Sequence, residues 1–286
     1  MSVNSGEIMN QFGGSWTEQK IEIVFEYTQA YLNVMKNQPH WKLLYFDGFA
    51  GSGQICLDKN EEDHIEGAAR RILSIEEPKS FDVYYFVEKI TTKANELELI
   101  IKSEFKKRTA YVVSDDCNKK LMDMATFLKT NGEDFRVLAF IDPCGMQLNW
   151  SSLEALKGLG IDMWILVPIG IGANRLLKND GNIDFKWMEK LVSFLGMGEK
   201  EIMDYFYIRT GQQGLFEDTD HIVKMNNAIK KLGLLYRENL YKIFNHVSEP
   251  FVMKNIKNNE MYHFILGSNN KTAVKIANDI VGKWSQ

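Results

Sequence analysis

The stretch KLLYFDGFAGSG, residues 42–53, decides the fold. Leu43, Leu44, Tyr45 and Phe46 form a short apolar run that stops at Asp47, and Gly48, Gly51 and Gly53 follow closely. Such a run, bounded by glycines, reads as a buried strand that turns sharply into a loop. Glycine lets the backbone take positive φ and approach a ligand closely. Asp47 then falls at the carboxyl end of the strand, where open α/β sheets hold their ligands. The loop lacks the Gly-Lys-Ser/Thr ending of a phosphate-cradling P-loop, which argues against NTP hydrolysis. Cys56 stands where a dinucleotide fingerprint has its third glycine.

An acid in front of the loop suits a ligand with an ammonium group better than a bare pyrophosphate. S-adenosylmethionine (SAM) is such a ligand. Asp47, Phe49, Ala50, Gly51, Ser52 and Gly53 are the candidates for holding its methionyl end. A plain glycine-rich turn is the competing reading of the same residues.

Outward from this stretch, four more apolar runs follow at 81–87, 110–113, 137–141 and 162–167, separated by helical patterns. That rhythm predicts a doubly wound, mostly parallel α/β sheet. The second run closes on Glu88, placed to accept from ribose hydroxyls. The third leads to Asp116 and Cys117, which either meet an adenine or cap the next helix. The fourth ends in Asp142-Pro143-Cys144-Gly145, an acceptor held in a rigid turn. Asp142 and Pro143 are the candidate catalytic pair, and capping the helix beyond is the alternative for Asp142. The tetrad partly matches the Asp/Asn/Ser-Pro-Pro-aromatic motif of amino-group methyltransferases, with Cys144 and Gly145 in the last two places.

Upstream, Ile21, Val24, Phe25, Thr28, Tyr31, Leu32 and Met35 recur at helical steps, predicting one amphipathic helix over 16–37. Residues 54–64 read as a polar surface loop. Residues 178–245 read as a helical insertion, with helices at 185–195 and 200–207, a turn at 210–214, and a helix over 220–244 that breaks at Gly233. Runs at 250–255 and 261–266 read as a hairpin, and 271–284 as a closing helix. The predicted organisation is an N-terminal segment and helix over 1–37, then one α/β domain over 38–286. A five-stranded α/β unit ending in a hairpin is the arrangement of class I methyltransferases.

The 286 residues include 45% hydrophobic and 12% aromatic residues, an ordered globular composition. Three widely spaced cysteines without ligand spacing argue against a structural metal and for a reduced, cytoplasmic setting. No run is long enough to span a membrane, and the polar start is no signal peptide. The net charge of −4 divides into +6 over 224–286 and −10 elsewhere. The basic third leaves nucleic acid open as a partner, but lysines on wet helix faces account for it more simply.

Several motifs together resemble one family. They are Gly13-Gly14-Ser15-Trp16-Thr17-Glu18-Gln19-Lys20, Phe46 to Gly53, Asp116-Cys117-Asn118, Phe140 to Met146, and 168–176 with Asn174-Arg175. In this order they are similar to the three-Cys-motif partner (TcmP) proteins, a bacterial group assigned to the class I SAM-dependent methyltransferase fold. The chain departs from that pattern at Cys144, where an aromatic is usual, and at Ser268-Asn269-Asn270. The resemblance implies SAM binding and an iron–sulfur-type three-Cys-motif partner protein. It places Cys144, Gly145, Asn174 and Arg175 on the substrate side, and leaves the methyl acceptor open. Two alternatives stand beside a methyltransferase: a degenerate fold that docks a partner, and a nucleic-acid base methyltransferase.

Overall fold

The computed structural model describes residues 14–56, 64–170, 176–213 and 218–285. Helix α1 (Gly14–Met35) leads into strand β1 (Lys42–Asp47). Strands β2 (Gln54–Cys56) and β3 (His64–Glu66) pair as a short antiparallel hairpin, where the sequence suggested a surface loop. Helix α2 (Ala68–Leu73), β4 (Val83–Val87), α3 (Thr91–Glu104) and β5 (Ala110–Val113) follow. Then come α4 (Cys117–Asn131), β6 (Phe135–Ile141), α5 (Trp150–Glu154) and β7 (Ile161–Pro168).

The main sheet runs in the order β5-β4-β1-β6-β7, all parallel. It is extended by β12 (Glu260–Ser268), antiparallel to β7 along seven register pairs from Tyr262↔Pro168 to Ser268↔Asp162. The outer edge of β12 is shared by β11 (Phe251–Lys254) and the short β10 (His246–Val247). This strand order, with an antiparallel strand between β7 and the edge, is the doubly wound class I methyltransferase arrangement that the sequence rhythm predicted.

Alternation along the strands sorts the core into two layers. Leu44, Phe46, Ala139, Ile141, Met163 and Ile165 face α4, α5 and the later helices. Tyr45, Tyr84, Phe86, Leu138, Phe140 and Trp164 face α1, α2, α3 and the closing helix α9 (Lys271–Trp284). The direction of winding reverses between β1 and β6. A crevice therefore opens at the carboxyl ends of these two strands, and ligands of such sheets bind at that point.

The insertion is not wholly helical. Helices α6 (Phe185–Leu195) and α7 (Glu199–Phe206) are as expected. The predicted turn and the first part of the predicted helix instead form an antiparallel ribbon, β8 (Tyr207–Gln213) with β9 (Asp218–Lys224). β-Branched Ile208, Ile222 and Val223 fit that conformation better than a helix. Gly233 does not break the helix either: it sits inside α8 (Ala228–Leu240). A Cβ there would come within 2.4 Å of His263 Cε1, so the glycine is a packing residue that admits the imidazole.

Gly233→Ala should therefore destabilise the fold by about 1–3 kcal/mol through overpacking, although alanine is the better helix former. Urea unfolding should show the loss, and His263→Ala in the same chain should recover part of it.

Candidate functional site

A cleft of about 670 Å³ occupies the crevice. Its floor is the loop after β1, tied down by Gly48 N–H donating to Phe140 O (2.9 Å) and Ala50 N–H to Val87 O (3.0 Å). These bonds hang the loop between the ends of β6 and β4. Gly48 has no room for a side chain, since a Cβ would lie 2.6 Å from Cys117 Sγ. Gly51 takes φ +63°, and a Cβ built on it meets nothing within 4 Å. Its bare face is turned to open space along the cleft wall.

The acids predicted from the strand ends converge here. Asp47, Glu88, Asp116 and Asp142 all line the cleft, as do Phe49, Ala50, Gly51, Ser52, Gly53, Cys117 and Cys144. Glu88 is bound into the loop: Oε2 accepts from Gly51 N–H (2.9 Å) and Oε1 from Ile90 N–H (2.8 Å). Each oxygen keeps a second lone pair beyond these bonds. Asp116 is the N-cap of α4, accepting from Asn118 N–H at 2.9 Å, and also meets Lys89 Nζ at 3.1 Å. The capping alternative for this residue holds, and its position on the cleft wall holds with it.

Asp47 is only 1% exposed, and its Oδ1 accepts from Phe49 N–H at 3.1 Å. Burial pushes its carboxyl up to about 8. The Phe49 hydrogen bond opposes this, while the Asp142 and Glu88 carboxylates push further in the same direction. Cys117 is buried too, and burial raises its thiol far above the range of a reactive thiolate. Cys144 is exposed and lines the cleft.

Asp142 caps no helix. It pairs with Lys20 of α1, Nζ to Oδ2 at 2.5 Å. The N-cap of α5 is Asn149, which makes no side-chain capping bond. Pro143 is buried and Gly145 takes φ +132°; neither lines the cleft. Asn174 and Arg175 lie outside the described residues.

Sequence reasoning missed Thr17 and Ile21 of α1 and Lys190 of α6, all on the cleft wall. It also missed Lys20, which carried a readable signal. Lys20 precedes Val24 by one helical turn and so interrupts the apolar stripe, where a lysine requires a partner.

No family model matches the chain, and no curated protein matches it. Solved structures are similar to it at low identity. One is protein LPL1258 from Legionella pneumophila, of family DUF519, at 14% identity, covering 92% of each chain with a TM-score of 0.48. Another is Trm1 from Pyrococcus horikoshii in complex with S-adenosyl-L-methionine, at 11% identity, covering 92% of this chain and 70% of that one, TM-score 0.38. A third is a SAM-dependent methyltransferase from Clostridium acetobutylicum, at 10% identity, covering 86% and 92%, TM-score 0.35. At such scores the likenesses carry no chemistry, and the reading of the cleft rests on its own residues. Among the described residues, no helix is long and apolar enough to cross a membrane.

The raised Asp47 carboxyl has a consequence for the ligand-free protein. The native state holds this proton up to about pH 8, whereas the unfolded chain releases it near 3.8. The native state therefore binds the extra proton in that window, and stability falls as pH rises through it. Thermal melts from pH 5 to 8 should show a steeper decline for the wild type than for Asp47→Asn. Parallel curves would mean that the carboxyl is ionised in the empty cleft.

Proposed function

We propose that the chain is a SAM-dependent methyltransferase that holds the cofactor over the glycine loop. One observation carries this reading. A positive-φ glycine with open space in front of it is ringed by carboxylates at the ends of β1, β4 and β6, and one of these, Asp47, is buried. A buried acid beside two others favours a cation, and an amino acid group next to a sulfonium supplies two. The volume is ample for a nucleoside carrying that side chain.

Each residue then has a part. Asp47 receives the ammonium group, directly or through the backbone it orients. Gly51 lets the methionyl chain lie against bare backbone. Glu88 keeps its free lone pairs for the ribose hydroxyls, and Asp116 with Cys117 borders the adenine. When bound, the cofactor supplies an electrophilic methyl group on sulfur. Asp142 accepts a hydrogen bond from the N–H or O–H of the acceptor, aligns its lone pair, and takes the proton released as the new bond to carbon forms. The walls formed by α1 and α6 exclude water from that approach.

Five carboxylates line the cleft against three lysines among the described residues, which disfavours threading a polyanion through it. We therefore rank a base methyltransferase acting on nucleic acid below one with a small-molecule or protein acceptor. Membership of the TcmP group, and an iron–sulfur-type three-Cys-motif partner, are the finer parts of the proposal. They are supported by the motif order in the sequence.

Calorimetry tests the cofactor. SAM should bind more tightly than NAD or ATP, and binding should release a proton and strengthen as pH rises toward 8, because Asp47 must ionise to meet the ammonium. Gly51→Val should abolish binding while the fold survives. Glu88→Ala should weaken SAM and S-adenosylhomocysteine alike by about 1–3 kcal/mol. Equal SAM affinity in wild type and Gly51→Val would remove the site. Tight SAM binding with no methyl transfer to any extract or partner offered would favour the docking module instead.

A further inference from the structure

The neighbours of Asp142 show how its charge is set. Its carboxylate lines the cleft, and Oδ2 is taken by Lys20 Nζ at 2.5 Å. Oδ1 has no donor among the described residues, so it keeps both lone pairs. Lys20 does not line the cleft: it is 9% exposed and reaches Asp142 from α1. Among the described residues, Asp142 lies in electrostatic reach of Asp47 and Tyr262, and Cys144 acts on the same tyrosine. Lys20 is the cation that meets the carboxylate there.

The helix that carries Lys20 is fastened along its length. One turn before it, the Trp16 ring meets Tyr262 of β12 edge-on at 6.0 Å. Two residues after it, Glu22 takes a two-pronged ion pair from Arg71 of α2 (2.5 and 3.0 Å). Further along, Tyr27 donates to Asp162 at 2.9 Å and packs edge-on against Trp164, and Glu26 accepts from Trp284 Nε1–H at 3.1 Å. A lysine on so fixed a backbone, with its head sheltered from water, is a built-in counter-charge rather than a surface pair of small effect.

We propose that Lys20 is a positioning residue for the acceptor site. It fixes the rotamer of Asp142 through one oxygen and neutralises the carboxylate, while the other oxygen stays available as a hydrogen-bond acceptor. The acceptor end of the cleft then presents a hydrogen-bond acceptor without net negative charge. It takes an uncharged nucleophile, such as an amide, an aromatic amine or a hydroxyl, in preference to an ammonium ion. An alkylammonium also has no lone pair to offer a methyl group. Selecting against it keeps an unreactive cation out of a cleft whose other carboxylates would attract one. This inference rests on SAM binding as proposed above.

Two commercial probes test it without the natural acceptor. S-adenosylhomocysteine has nothing at the methyl position, whereas sinefungin carries an ammonium there, pointing at the acceptor site. In the wild type, calorimetry should give the two similar affinities. Lys20→Met should leave S-adenosylhomocysteine unchanged and tighten sinefungin by about tenfold or more, because Asp142 is then an uncompensated charge. Lys20→Arg should restore the wild-type ratio, which a purely structural role would not require. Asp142→Asn combined with Lys20→Met should also abolish the gain. Matched melting temperatures identify variants that fold, and Lys20→Gln serves if Lys20→Met does not. A ratio that Lys20→Met or Lys20→Gln leaves unchanged, with both probes still binding, overturns the proposal alone. Failure of both probes to bind the wild type removes the cofactor reading with it.

Discussion

The site depends on the cost of burying a carboxyl group. Asp47 lies under the loop that follows β1, out of water and beside two other acids. A lone buried carboxylate is expensive to ionise, and burial accordingly pushes this carboxyl toward its protonated form. The Phe49 N–H is the chain's own contribution to holding it. The surroundings accord with this placement: backbone ties at Gly48 and Ala50, glycine where a side chain would fill the space, and Glu88 shaping the turn through Gly51 N–H.

A second acid of the cleft is handled in the opposite way. Asp142 has its charge met by Lys20, delivered from a helix far away in the sequence. Two carboxylates at the ends of adjacent strands thus have different electrostatic characters. One is buried with its carboxyl pushed up toward the neutral form; the other is already paired with a lysine and keeps one oxygen free. Pushing the characters of neighbouring groups apart in this way is how a site separates binding from chemistry.

Much of this was legible in the sequence because strand ends are marked by residue type. Apolar runs that stop at Asp47, Glu88 and Asp142 marked the parallel strands and the acids that converge, and the paired runs before 271–284 marked the terminal hairpin. The ribbon β8–β9 was not legible, because it contains no long apolar run and its alternation is interrupted by glycine and glutamine. Gly233 misled because a helix-weakening residue is also what a helix needs where an imidazole presses against it. Lys20 stood out as a lysine in need of a partner, but which partner was hidden, because Asp142 lies 122 residues away and periodicity cannot see an ion pair of that span.

The fastenings of α1 have one more property: none of them is local. Among the described residues, its side-chain hydrogen-bond partners on the rest of the fold lie 49, 122, 135 and 258 residues along the chain, on α2, just after β6, on β7 and on α9. Contacts of such separation close long loops, so seating α1 raises the contact order of the fold. Because α9 closes against it as well, one wall of the cleft is held by elements that lie far apart in the sequence. The counter-charge of the acid that follows β6 thus depends on long-range contacts of the whole fold rather than on its own neighbourhood.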